Sequence, residues 1–142
     1  MSDAGRDIES ADTTRASRGE ADAFDELSGE HRLIQRVAEG LARWTRLDPA
    51  ADGRLELRRF VGFFRHFVER CHFAKEDAIA SGPARSIDSC APDLAEMERG
   101  HARCQRSITK LHQLATMHSA WTRPERRAVE SAADELASSL RD

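Results

Sequence analysis

Apolar residues recur at spacings of three and four along four stretches of the chain, the pattern of amphipathic helices. Phe24, Leu27, His31, Ile34, Ala38, Leu41 and Trp44/Thr45 predict a first helix from about Asp22 to Leu47. Leu57, Val61, Phe64, Val68, His72, Glu76 and Ile79 form one stripe of a second helix, from about Arg54 to Ala80, with Phe60, Phe67 and Cys71 beside it. Leu94, Met97, His101, Cys104/Gln105, Ile108, Leu111 and Ala115 mark a third, from Pro92 to about Ser119. Val129, Ala132/Ala133, Leu136 and Leu140 mark a fourth, from Thr122 to the C-terminus. Between them lie turn residues: Asp48-Pro49-Ala50-Ala51-Asp52-Gly53, then Ser81-Gly82-Pro83. Thr122-Arg123-Pro124-Glu125 reads as a capping box with proline in the first turn. No alternating β-branched run exists, so no strand is expected. The expectation is an all-α protein: an antiparallel up-down-up-down four-helix bundle over residues 22–142, after a disordered polar tail over residues 1–21.

Composition narrows the partners. The chain has 142 residues, 39% hydrophobic and 33% charged, with a net charge of −3. That suits one domain with its own core. There is no basic excess to suggest a nucleic-acid partner. No apolar run approaches the roughly 18 residues of a membrane span. The polar N-terminus lacks an apolar signal core, so export is not expected. Cys71, Cys90 and Cys104 are odd in number and read as reduced thiols in a cytoplasm. No Ser-His-Asp set, Cys-x-x-Cys pair or glycine-rich phosphate loop is present. No general acid can be named, and the chain offers no enzyme assignment.

The histidines carry the candidate chemistry. His72 and Glu76 are four apart and share one helical face. An imidazole and a carboxylate so placed are how helical bundles hold iron, manganese or zinc. His31 lies sixteen residues before Leu47, and His72 lies eighteen after Arg54. At about 1.5 Å per residue their levels agree to within about 3 Å. His72 is nine residues before Ser81, and His101 is nine after Pro92, so these levels match too. The competing reading is three core histidines hydrogen-bonded to their neighbours. A partner on the fourth helix falls near position 140 or beyond, where only Asp142 offers a ligand. Gln105, or Cys104 three residues past His101, could join a bound metal, and a thiolate there would favour zinc. His66 points away from the site, His112 reads as a polar core or surface residue, His118 as a surface residue, and Cys71 as a helix-packing residue. Arg54, Arg58 and Arg59 read as a solvated face, and Trp44 and Trp121 as plugs at one end of the bundle.

Three segments carry a family likeness: Glu30-His31-Arg32-Leu33-Ile34, the run from Phe63 to Asp77 containing Cys71-His72-Phe73-Ala74-Lys75-Glu76, and Met97-Glu98-Arg99-Gly100-His101. Over about residues 22–142 the chain resembles the hemerythrin-like (HHE cation-binding) family. The resemblance implies a four-helix bundle around non-haem iron that binds or senses a small diatomic or peroxide ligand (oxygen, nitric oxide or peroxide). It implies His31, His72 and His101 as imidazole ligands and Glu76 as a carboxylate that binds or bridges iron. Phe73 and Ala74 depart from the family's second histidine and glycine, and Gly100 from its glutamate before the third-helix histidine. The family's last-helix His-x-x-x-Glu pair has no counterpart before Asp142. Di-iron, mononuclear iron and zinc all remain open, as does a metal-free bundle that serves as an interaction or regulatory module, with a protein partner or as a homodimer.

Overall fold

In the computed structural model the described residues are 7–47, 52–81 and 91–141, and among them the protein is all-helical, with no strand. The helices are α1 (Asp7–Arg46), α2 (Arg54–Phe63), a π-wound segment (Phe64–His72), α3 (Phe73–Ala80), α4 (Ala91–Ala115) and α5 (Arg123–Ser139). α2, the π segment and α3 follow one another without a break, as the second stripe predicted. α5 packs on both α1 and α4, α2 packs on α4, and the π segment touches α1 and α4. None of the helices is long and apolar enough to cross a membrane. Asp48-Pro49-Ala50-Ala51, Gly82-Pro83, Cys90 and Asp142 lie outside the described residues, as do residues 1–6.

The core follows the predicted stripes closely. Ile34, Leu41, Leu57, Phe64, Val68, Ile108, Leu111 and Leu136 are almost wholly buried. The exceptions lie toward the N-terminus of α1 and around the cluster end of the other helices, where Ile79, Leu94, Met97 and Leu140 are only partly buried. Phe24 is 57% exposed, and burial begins with Leu27. α1 itself starts at Asp7 rather than Asp22, so the expected tail is helical from Asp7 onward. Extending an existing helix gains one backbone bond per residue fixed, and Ala, Glu and Arg favour it. The side chains of Arg18 and Ala21 remain exposed, as expected of a stretch with little to bury.

The π winding coincides with a run of fours in the apolar spacing. Phe64, Val68, His72 and Glu76 are separated by three consecutive steps of four. In an α-helix each such step drifts about 40° around the axis. A π turn is wider and takes up more residues, so over Phe64, Val68 and His72 the step of four no longer drifts in that direction. All three are buried.

α4 ends at Ala115, short of Ser119, and carbonyls at and just beyond its end find side-chain partners from α2 and from the segment before α5. Trp121 Nε1 donates to Leu114 O at 2.8 Å, Arg58 Nε to Ala115 O at 2.8 Å, and Arg54 Nη1 to Met117 O at 2.8 Å. Arg54 and Arg58 are therefore not simply a solvated face; they cap a helix C-terminus, where cations are favoured. The Thr122 capping box forms as predicted, with Glu125 N donating to Thr122 Oγ1 and Thr122 N donating to Glu125 Oε2. Trp44 and Trp121 both come up against Gly53 at this end. A Cβ at Gly53 would lie 2.9 Å from Trp44 and 3.0 Å from Trp121. Gly53→Ala should therefore destabilise the protein by about 1–3 kcal/mol through overpacking against two rigid rings. A lower urea midpoint is expected; an unchanged midpoint would mean that the rings move apart freely.

Candidate metal centre

The π segment delivers His72 into the interior, where only 1% of it is exposed. Its Nδ1 lies 3.0 Å from Glu30 Oε2 on α1. An ionised carboxylate can only accept, so this bond puts the proton on Nδ1. Glu30 also accepts from Lys75 Nζ at 2.6 Å, and Lys75 reaches Glu26 at 2.7 Å. Burial works against the charge on Glu30, but Lys75 and His72 outweigh it and hold the carboxyl below its usual range.

With Nδ1 protonated toward Glu30, the other nitrogen, Nε2, presents a lone pair. It is buried, has no hydrogen-bond partner, and lies 2.5 Å from Glu76 Oε1. A lone pair facing a carboxylate oxygen leaves two acceptors in contact. Something positive has to sit with them: a second proton on His72 or a cation. Burial disfavours charge on His72, yet Glu76 and Glu30 raise its pKa above the ordinary value, the sign of a site that attracts positive charge.

Glu76 is the meeting point. Oε1 lies 2.5 Å from His31 Nε2 as well, and Oε2 lies 2.6 Å from His101 Nε2. Burial opposes ionisation of Glu76, but the contacts from His31, His72 and His101 win and hold it far below the carboxylate range. Ligand atoms of His31, His72 and Glu76 lie within 4.8 Å of one another. The His31 and His72 rings meet edge-to-face at 4.5 Å. His101 lies flat on Phe73, with centroids 3.9 Å apart and planes 17° apart. The helix-level arithmetic anticipated that the three histidines approach Glu76, but only His31, His72 and Glu76 place ligand atoms within 4.8 Å of one another, and His101 joins through the other oxygen of Glu76. The arithmetic did not anticipate that His31 would be 55% solvent-exposed, leaving the α1 side of the cluster open.

Three contributors went unassigned in the sequence. Glu30 precedes His31 and sits at the same level, so the arithmetic that found His31 applies to it. Lys75, four residues before Ile79 on the same helix, is opposite in charge to Glu26 and Glu30 and pairs with both. Phe73 follows His72 and orients His101 by stacking. Among the other candidates, His66 is exposed beside Arg70, His118 is exposed, and His112 accepts from Arg65. Cys71 is exposed rather than packed, and Cys104 is buried. Burial pushes the Cys104 thiol up to about 11, so it is protonated at neutral pH and a poor ligand by itself.

Neutral imidazoles and a carboxylate suit iron, zinc and related divalent ions, and a buried unpartnered nitrogen beside an ionised carboxylate fits such a cation. His72, Glu76, His31 and His101 would hold it, and Glu30 would fix the tautomer of His72, as second-layer carboxylates do. No protein-family model, curated protein or solved structure matches the chain.

Thiol mapping should separate the two described cysteines. In the native protein iodoacetamide should alkylate Cys71 and leave Cys104 unmodified until denaturant is added; alkylation of Cys104 at an equal rate would contradict its burial. Glu30→Gln should weaken metal affinity by about 10–100-fold, because the proton on His72 is no longer fixed. Competition with a fluorescent chelator would measure it, and an unchanged affinity would remove Glu30 from the site.

Proposed function

We propose that this chain is a hemerythrin-like protein, an antiparallel up-down-up-down four-helix bundle that works in the cytoplasm. Its site binds non-haem iron through His31, His72, Glu76 and His101. Through that iron it binds or senses a small oxidant: oxygen, nitric oxide or peroxide. The observation that carries the reading is the carboxylate of Glu76, approached by imidazoles from three separate helical rods while His72 Nε2 stays buried without a hydrogen bond. One oxygen of Glu76 faces His31 and His72 and the other faces His101, an arrangement suited to a carboxylate shared between two cations. When bound, iron would supply an open coordination position for the oxidant. The chain's own residues keep Glu76 ionised, hold a proton on His72 Nδ1 and leave the exposed His31 side open to entering ligands.

A second reading has its own support. The contacts of Glu76 with three imidazoles at 2.5–2.6 Å would also satisfy a protonated, metal-free cluster. The bundle would then serve as an interaction or regulatory module, with a protein partner or a second copy.

Elemental mass spectrometry on protein purified without a metal-affinity tag decides between them. Iron near one or two per chain is expected, falling by most of its amount in His72→Ala. Zinc alone would keep the site and replace the oxidant chemistry with a structural role. No metal after anaerobic iron loading, or full metal in His72→Ala, would overturn the iron reading.

A further inference from the structure

The charge of α1, a helix of 40 residues, is split along its length. Residues 7–26 carry seven acids and two arginines, whereas residues 27–46 carry four arginines and two acids. Arg46 pairs with Asp134, and Glu26 with Lys75. Arg36 and Arg43 are exposed, and among the described residues no ion pair holds them, although Glu39 lies three residues from one and four from the other. Asp22 and Asp25 are exposed and unpaired in the same sense. Beside these charges runs an apolar stripe. Leu33, Gly40 and Leu47 follow at steps of seven and share one face of the helix. Leu33 is 44% exposed and Leu47 67%. A Cβ at Gly40, or at Gly29 on the same face, would meet nothing within 4 Å, so another backbone can come close. Gln35 and Arg46 reach α5 from the opposite flank, which turns the stripe away from that contact.

We propose that a second copy of this chain covers the stripe, the two α1 helices packing antiparallel about a two-fold axis. The direction follows from the charge. An antiparallel pair lays the acidic half of each copy along the basic half of the other, twice over, as an isologous interface does. A parallel pair would set acid against acid and arginine against arginine. In the antiparallel pair Asp22 and Asp25 of each copy fall toward the Arg36 to Arg43 stretch of the other. Leu33 then lies near the axis, where its two copies bury each other, and Gly29 and Gly40 let the helices close on either side of it. His31 lies about 160° round the helix from Leu33, so the open side of the histidine cluster stays free. The pairing uses none of the cluster residues and does not depend on a metal.

The test is sedimentation equilibrium over a range of protein concentrations. The wild-type protein should show a monomer–dimer equilibrium whose dissociation constant rises by about tenfold or more between about 0.05 M and 0.5 M salt, as screening shortens the reach of the charges. Two double variants, each checked for unchanged helix content and melting temperature, then address the pairing. Arg36→Glu with Arg43→Glu puts acids on both halves of α1, and Asp22→Arg with Asp25→Arg puts arginines on both. Each variant alone should be monomeric where the wild type dimerises, because like charges then face one another. An equal mixture of the two should recover a dimer, because opposite charges meet again. A wild-type protein that stays monomeric, a dimer indifferent to salt, or variants that dimerise alone would each overturn the proposal. A mixture of folded variants that stays monomeric would overturn it too. The experiment reads mass rather than metal, so its failure leaves the metal reading standing and is distinguishable from the failure of that reading.

Discussion

A half-buried carboxylate that must stay ionised is the constraint on which this structure turns. Removing Glu76 from water costs free energy that only positive or hydrogen-bonding partners return. Those partners are imidazoles on α1, on the π segment and on α4, so three rods must arrive at one level with the right faces inward. The far end of the molecule helps to set that level. Arg54, Arg58 and Trp121 take the last carbonyls around the end of α4, fixing where that helix stops relative to α2. Gln35 Nε2 donates to Leu140 O at 2.9 Å and Arg46 pairs with Asp134, which tie the register of α5 to α1. Precision at the histidines thus depends on contacts at both ends of the helices, from Gln35 one turn away to Arg54 and Arg58 at the far end.

Much of this was legible from the chain because helices convert sequence distance into height in a simple way. His31, His72 and His101 could be matched in level by counting from the turns. Which neighbours complete their hydrogen bonds is another matter, since it depends on rotation about each helix and on side-chain reach. Glu30 lies at the right level, yet nothing in one helix says that its carboxylate meets the back of His72 rather than solvent. Exposure was misjudged for the same reason. Phe24 keeps the spacing of the stripe but lies beyond the point where other helices cover α1, and Cys71 sits one residue from the core yet on the outer side. The π winding left a trace in the three steps of four from Phe64 to Glu76, visible only when the drift of an α-helix is added up.

The cluster also shows how one residue can be given two electrically opposite faces. Glu30 and Lys75 address the Nδ1 side of His72, and Glu76 addresses the Nε2 side. The first pair settles a proton; the second leaves a place for positive charge to be taken up or released. Stacking of His101 on Phe73 holds a third ring without using either nitrogen. Ring orientation in this site is therefore set by different additions to one shared contact: all three rings meet Glu76, and to that His72 adds an ionic relay through Glu30, His101 a stacked Phe73, and His31 only the edge of the His72 ring.

The two tryptophans are the chain's whole complement of indoles, and both press on Gly53 at one extremity. Thirteen residues of α1 separate Trp44 from His31, about 20 Å along the axis. Intrinsic fluorescence is therefore an optical readout of one pole of the molecule, and the imidazole cluster belongs to the other. A loosening that began at the histidines would pass unseen by emission until it had travelled the length of the helices. The agreement or disagreement of that signal with one read at the cluster would tell whether the protein comes apart as a single unit or from one end.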